Sequence, residues 1–171
     1  MLNFIKNLFK PKMLNAAQAW QLAGNNPIDA YWLYAAPVHL VLQRDTFSLG
    51  ETVPLPLESD EITSLTDALN QHFQADNMQF FWHENHWFLK LNSSPTIQTS
   101  LPTLAINQDI AKYLPTGAGA MQWAKFQNEL QMLLFAHPVN GVREAKRLPV
   151  INSIWCYGGG EILNAKNSHA N

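Results

Sequence analysis

The sequence predicts an α+β domain, and three observations carry that prediction. Two stretches pair short alternating or aromatic-rich runs across tight turns, as hairpins do. Residues 59–73 and 120–137 repeat apolar side chains at helical spacing. No strand–helix–strand rhythm of a parallel sheet runs through the chain. With 171 residues, 47% of them hydrophobic, the chain can bury one good core, and its length fits one domain. We place that domain at 15–160, between an amphipathic N-terminal segment, 1–14, and a flexible C-terminal tail, 161–171.

The elements follow in order. In the first segment Leu2, Phe4, Ile5, Leu8 and Phe9 alternate with Lys6 and Lys10 before Pro11. This run is too broken for a signal peptide and too short to cross a bilayer. A terminal helix laid on the core is favoured over a membrane-surface anchor. Residues 15–23 read as a short helix stopped by Gly24. Residues 36–43, APVHLVLQ, alternate and are rich in β-branched side chains; Arg44 and Asp45 form a turn before Phe47, Ser48 and Leu49, giving a hairpin. Helix 59–73 sets Ile62, Leu65, Leu69 and Phe73 on one face, with Ser59 as the expected N-cap and Asp60 and Glu61 favouring the positive end of its dipole.

Residues 78–83 and 87–91 form a second, aromatic hairpin across Glu84, Asn85 and His86, so the sheet is expected to be antiparallel. A polar loop, 92–102, leads to a short helix at 107–114, ended by Pro115. From Ala120 a long helix presents Trp123, Phe126, Leu130, Leu133, Leu134 and His137 on one side. Pro138 stops it, since proline excludes helical geometry from the residue before it. Asn140 is expected to cap a further helix, 141–147, and residues 150–155 form a strand that ends in Gly158, Gly159 and Gly160.

Composition excludes several functions. A formal charge of −2 with 14% charged residues leaves no basic stripe for a phosphate backbone, so no nucleic acid is expected. No transmembrane segment is expected either. The single cysteine, Cys156, precludes an intramolecular disulfide and suits a reducing, cytoplasmic setting. His83 and His86 form an H-x-x-H across a turn, but two ligands without a third are poor grounds for a metal, and we expect none. His39 is expected to be a satisfied strand residue.

The polar residues near the C-terminal end are the candidates for a site. Asn140 at a helix start leaves free N–H donors that an anion could meet, and Arg143 in the first turn opposes the dipole unless it answers an anion. The alternative is an ordinary cap with Arg143 paired to Glu129 or Glu144. Asn152, within an apolar strand, must find partners. The glycines permit close approach or positive φ, though their spacing is not a dinucleotide fingerprint. Gln127 and Gln131, one turn apart, support the surface, mainly by holding neighbouring backbone.

The run from Phe126 to Gly160 resembles the motif of the RpfE-type regulatory proteins, a family also described as phosphoglycerate-mutase-like. The matching pieces are Phe126-Gln127-Asn128-Glu129, Gln131 to Leu134, His137-Pro138-Val139-Asn140, Arg143-Glu144, Leu148 to Ser153, Trp155, and Gly158 with Gly160. Lys146-Arg147 stands where the family has Arg-Gly. A more distant likeness is to archaeal-type cofactor-independent phosphoglycerate mutases, which use two metals and a hydroxyl nucleophile on a large domain with no counterpart here. The resemblance implies a non-catalytic regulatory or ligand-binding domain without a cofactor. Its expected surface comprises His137, Asn140, Arg143, Asn152, Trp155, Gly158 and Gly160, facing a phosphorylated small molecule. Two alternatives remain: a small phosphoester enzyme, and a protein-interaction module anchored by Trp82, Trp87 and Phe88.

Overall fold

A computed structural model describes residues 13–25 and 29–162. The expectations for the N-terminal segment before Met13 and for the tail beyond Ile162 lie outside those residues. The architecture is α+β. Four strands, β4 (Gln79–His83), β5 (His86–Leu91), β1 (Ala30–Val38) and β6 (Ser153–Ile162), form one sheet in the order β4-β5-β1-β6, each neighbour antiparallel. A separate hairpin joins β2 (Leu40–Leu42) to β3 (Phe47–Leu49). The helices are α1 (Ala16–Leu22), α2 (Ser59–Phe73), α3 (Pro102–Ala105), α4 (Ala120–Ala136) and α5 (Pro138–Ala145).

The sheet is covered on both faces. Leu33, Ala35, Leu89, Ile154 and Cys156 point to α2 and α4, where Leu65, Leu69, Phe73, Leu130 and Leu134 complete the main core. Trp32, Tyr34 and Phe88 point the other way and meet Trp20 of α1, whose ring stacks on Trp32 with centroids 4.4 Å apart. Each fully buried leucine in such a core contributes roughly 1.5–3 kcal/mol. β1 is thus buried on both sides, which explains why its first half escapes the sequence reading: residues 30–35, AYWLYA, are apolar throughout and show no alternation. The strand expected at 36–43 is two, its start closing β1 and its end forming β2.

Local chemistry sets the element ends. Asn15 caps α1 in a reciprocal box with Gln18, each side chain bonding the other's N–H at 2.9 and 3.1 Å. Helix α2 has the expected span, but its cap is Glu58 rather than Ser59; the Glu61 carboxylate accepts from the Glu58 N–H at 2.9 Å. The β4–β5 turn is two residues, Glu84 and Asn85, both at positive φ, as suits the twist of a tight hairpin. The helix expected at 107–114 is a 3-10 turn, Ile110–Tyr113, capped by Asp109, because Pro115 leaves too few residues to close α-helical turns. Of the three expected interaction anchors, Trp87 and Phe88 are buried in the core and Trp82 is half-buried against it.

Candidate functional site

Helix α4 ends where Pro138 forces His137 into extended geometry, at φ −73° and ψ 130°. His137 then becomes the cap of α5, its Nδ1 accepting from the Val139 N–H at 3.2 Å. The second helix therefore starts three residues earlier than expected, and Asn140 lies inside it rather than at its N-terminus. Proline at the first helical position explains the early start, since its fixed φ is preset for a helix.

Asn140 is buried and its amide clasps one residue from both sides. The side-chain oxygen accepts from Ile151 N–H at 2.8 Å, and the NH2 group donates to Ile151 O at 2.8 Å and Leu134 O at 2.9 Å. Asn152 does the same to Leu40 of β2, at 2.7 and 2.9 Å, and Asn70 to Phe80 of β4, at 2.6 and 3.0 Å. Each amide stands in for a missing strand. A glutamine or aspartate has the wrong reach or the wrong donors for this two-point match.

Arg143 falls in the last turn of α5, where its charge suits the dipole, and is 2% exposed. Its partner is neither Glu129 nor Glu144 but Glu61, 82 positions away: Nη1 donates to both carboxylate oxygens at 2.9 and 3.1 Å. Nε donates to Pro149 O at 2.6 Å. The guanidinium thus ties α5 to the start of α2. Nothing in the sequence marks Glu61 as that partner beyond its place in the first turn of a helix.

The glycines belong to a third arrangement. Leu33 of β1 lies opposite two residues of β6, Gly158 and Gly159, which is a β-bulge with Gly158 at φ +63°. The strand runs on through the glycines instead of ending at them. A Cβ on Gly159 would overlap the Tyr31 hydroxyl, and one on Gly160 would lie 2.5–2.6 Å from the Asn15 amide. His137, Asn140 and Arg143 therefore share one buried face of α5, while Gly158 and Gly160 lie against Tyr34 and α1.

Gln127, Gln131, Asn152 and Trp155 converge elsewhere, on a groove between α4 and the 3-10 turn. Its wider part has a volume of about 490 Å3 and is walled by Phe47, Leu114, Pro115, Trp123, Gln127 and Phe135, among others. A narrower recess of about 70 Å3 continues from it and is lined by Tyr113, Gln131 and four consecutive residues, Ser153, Ile154, Trp155 and Cys156. Among the described residues no charged side chain lines either part. The glutamine amides are loosely held: Gln127 donates to Ile154 O at 3.3 Å and Gln131 to Ser153 Oγ at 3.4 Å. Trp155 is held by its indole N–H to Ser100 O at 2.9 Å. Burial pushes the Cys156 thiol up to about 12, so at neutral pH it is protonated and a poor nucleophile. The opposite wall, Ile110 to Pro115, carries no polar motif, and nothing in the sequence sets apart Leu114, which the fold leaves exposed.

Comparison with known proteins places this architecture among folds already seen. No family model matches the chain, and no curated protein matches it. A solved structure with the same fold is the cofactor-independent phosphoglycerate mutase from Thermoplasma acidophilum DSM 1728, at a TM-score of 0.60 and 16% identity. The likeness covers 91% of this chain and 45% of that one, so the chain spans less than half the length of the mutase. At this identity the similarity is one of fold. Among the described residues no helix is long and apolar enough to cross a membrane.

Proposed function

We propose that the chain is a non-catalytic binding domain of the RpfE type, and that its ligand surface is the uncharged groove between α4 and the 3-10 turn. The observation that carries this reading is the groove itself: an apolar cleft of binding-site size with a few convergent amides. Gln127 and Gln131, held at long range, are free to turn to a ligand at little cost. The sequence pointed to a phosphorylated ligand; the lining favours a neutral, largely apolar one, because Arg143 faces Glu61 and no cation among the described residues lines the groove. The motif from Phe126 to Gly160 supports kinship with the regulatory family; within it Asn152 lines the groove, while Asn140 and Arg143 brace the fold behind it.

Two titrations followed by amide NMR test this, one with the neutral apolar dye Nile red and one with 3-phosphoglycerate. Shifts at Gln127, Gln131 and residues 153–156 with the dye alone support the proposal, and Phe135→Ser should weaken them. Shifts with 3-phosphoglycerate alone, or dye shifts scattered over the surface, would overturn it. The fold shared with a mutase motivates a second reading, a phosphoester enzyme, which metal-dependent turnover of 3-phosphoglycerate would reveal.

A further inference from the structure

The two edges of the sheet are finished differently. β4, at one edge, has Phe80 clasped at both its N–H and its C=O by Asn70 of α2. β6, at the other edge, has no strand on its far side among the described residues. Pro37, which has no N–H, sits opposite Ile154, so the main-chain groups of Ile154 turn away from β1. Gln127 donating to Ile154 O from outside agrees with this. The same alternation turns the N–H and C=O of Cys156 outward. Four consecutive β6 residues line the recess. A cavity on a face of the sheet would meet alternate residues; only one along the strand's edge meets them all.

Resting on the reading of the groove as a binding surface, we propose that its ligand is an uncharged extended polypeptide segment that adds to β6 as a fifth strand. Its main chain would bond Ile154 and Cys156, displacing the Gln127 amide, and its alternate apolar side chains would fill the wider cleft beside Phe135 and Leu114. The lining selects for lack of charge. Natural edge strands are commonly guarded by charges, prolines or bulges. Residues 153–157, SIWCY, have none of these; Ser153 to Cys156 are instead covered, each at most 9% exposed with the Gln127 amide over Ile154 O, so an added strand must displace that cover, and the bulge at Gly158 and Gly159 limits its pairing to the groove.

The probe is the blocked peptide acetyl-Val-Thr-Val-Thr-Val-amide, beside a version N-methylated at alternate residues, each titrated into the full chain. The unmethylated peptide should slow amide hydrogen exchange at Ile154 and Cys156, and the methylated one should bind about tenfold more weakly or worse, having lost its donors while keeping its apolar surface. Equal binding by the two, or no change at Ile154 and Cys156 up to millimolar peptide, would overturn strand addition. If Nile red still binds the groove in that case, the binding-domain reading stands without it; if neither probe binds, both fall. Protection of those amides that rises with protein concentration alone would give the edge to a second copy of the chain and equally sink the proposal.

Discussion

Removing the Glu61 carboxylate should be among the most damaging single changes in the molecule. Arg143 is 2% exposed and the Glu61 side chain 12%, so Glu61→Ala leaves a guanidinium buried with only Pro149 O at Nε. Breaking a buried pair from one side costs about 3–5 kcal/mol. For a chain of this size each kcal/mol moves Tm by about 2–4 °C, so the melting point should fall by roughly 6–20 °C. Urea unfolding followed by tryptophan fluorescence would measure the loss. The double variant Glu61→Leu with Arg143→Met removes both charges and should recover most of it, since an apolar pair of similar volume is often as stable as a buried ion pair. A loss below about 1 kcal/mol for Glu61→Ala, or a double variant no better than the single, would refute the view of Arg143 as an internally neutralised tie. The same logic makes Arg143→Ala a poor control for ligand binding, because a lost response would report a loosened fold.

Other consequences are as direct. Asn140→Ala strips partners from the Ile151 N–H and C=O and should cost at least ~2 kcal/mol in urea unfolding, without touching the groove. Gly119→Ala would drive its Cβ into the Pro95 carbonyl oxygen and should destabilise by roughly 1–3 kcal/mol, read as a drop in Tm. Phe135, 89% exposed, should tolerate Ser within about 0.5 kcal/mol while dye binding falls. The Cys156 thiol, raised from 9.0 to about 12 in the folded chain, stays protonated where the unfolded chain has begun to ionise. Stability should therefore fall above about pH 9, by up to ~1.4 kcal/mol per pH unit from this group. Tyr31, Tyr34 and Tyr157 are raised as well, so the comparison is between wild type and Cys156→Ala: unfolding midpoints over alkaline pH should decline less steeply in the variant.

Helices were legible where their periodicity was strong and their stops were proline or glycine. The span 59–73 and the break at His137-Pro138 follow from local rules acting on local residues. β1 was half lost because a strand buried on both faces carries no alternation, and only the tertiary structure says that it has two neighbours. The polar motif was legible as a cluster but not as a set of roles. Whether Asn140 caps a helix or clasps Ile151 depends on where Pro138 starts the helix, and the partner of Arg143 lies 82 positions away, beyond any local pattern. The groove was half visible: Gln127, Gln131, Asn152 and Trp155 were picked out for their polarity, while the facing wall of Ile110, Leu114 and Pro115 reads as ordinary apolar sequence.

The Asn140 clasp also bears on how the molecule ages. Asn140 precedes Gly141, a pairing in which the next residue's main-chain nitrogen can readily attack the side-chain amide and release ammonia. In the folded chain that amide is engaged by Ile151 and Leu134 and the backbone is helical, so the attacking geometry is denied. Each opening of α5 suspends that protection. Water then opens the cyclic imide so formed, and the resulting carboxylate would meet the carbonyl oxygens of Leu134 and Ile151 where an NH2 group had donated, so the helix could not close as before. Local unfolding of this one segment thus sets a chemical clock, running only in molecules whose α5 has let go of Ile151.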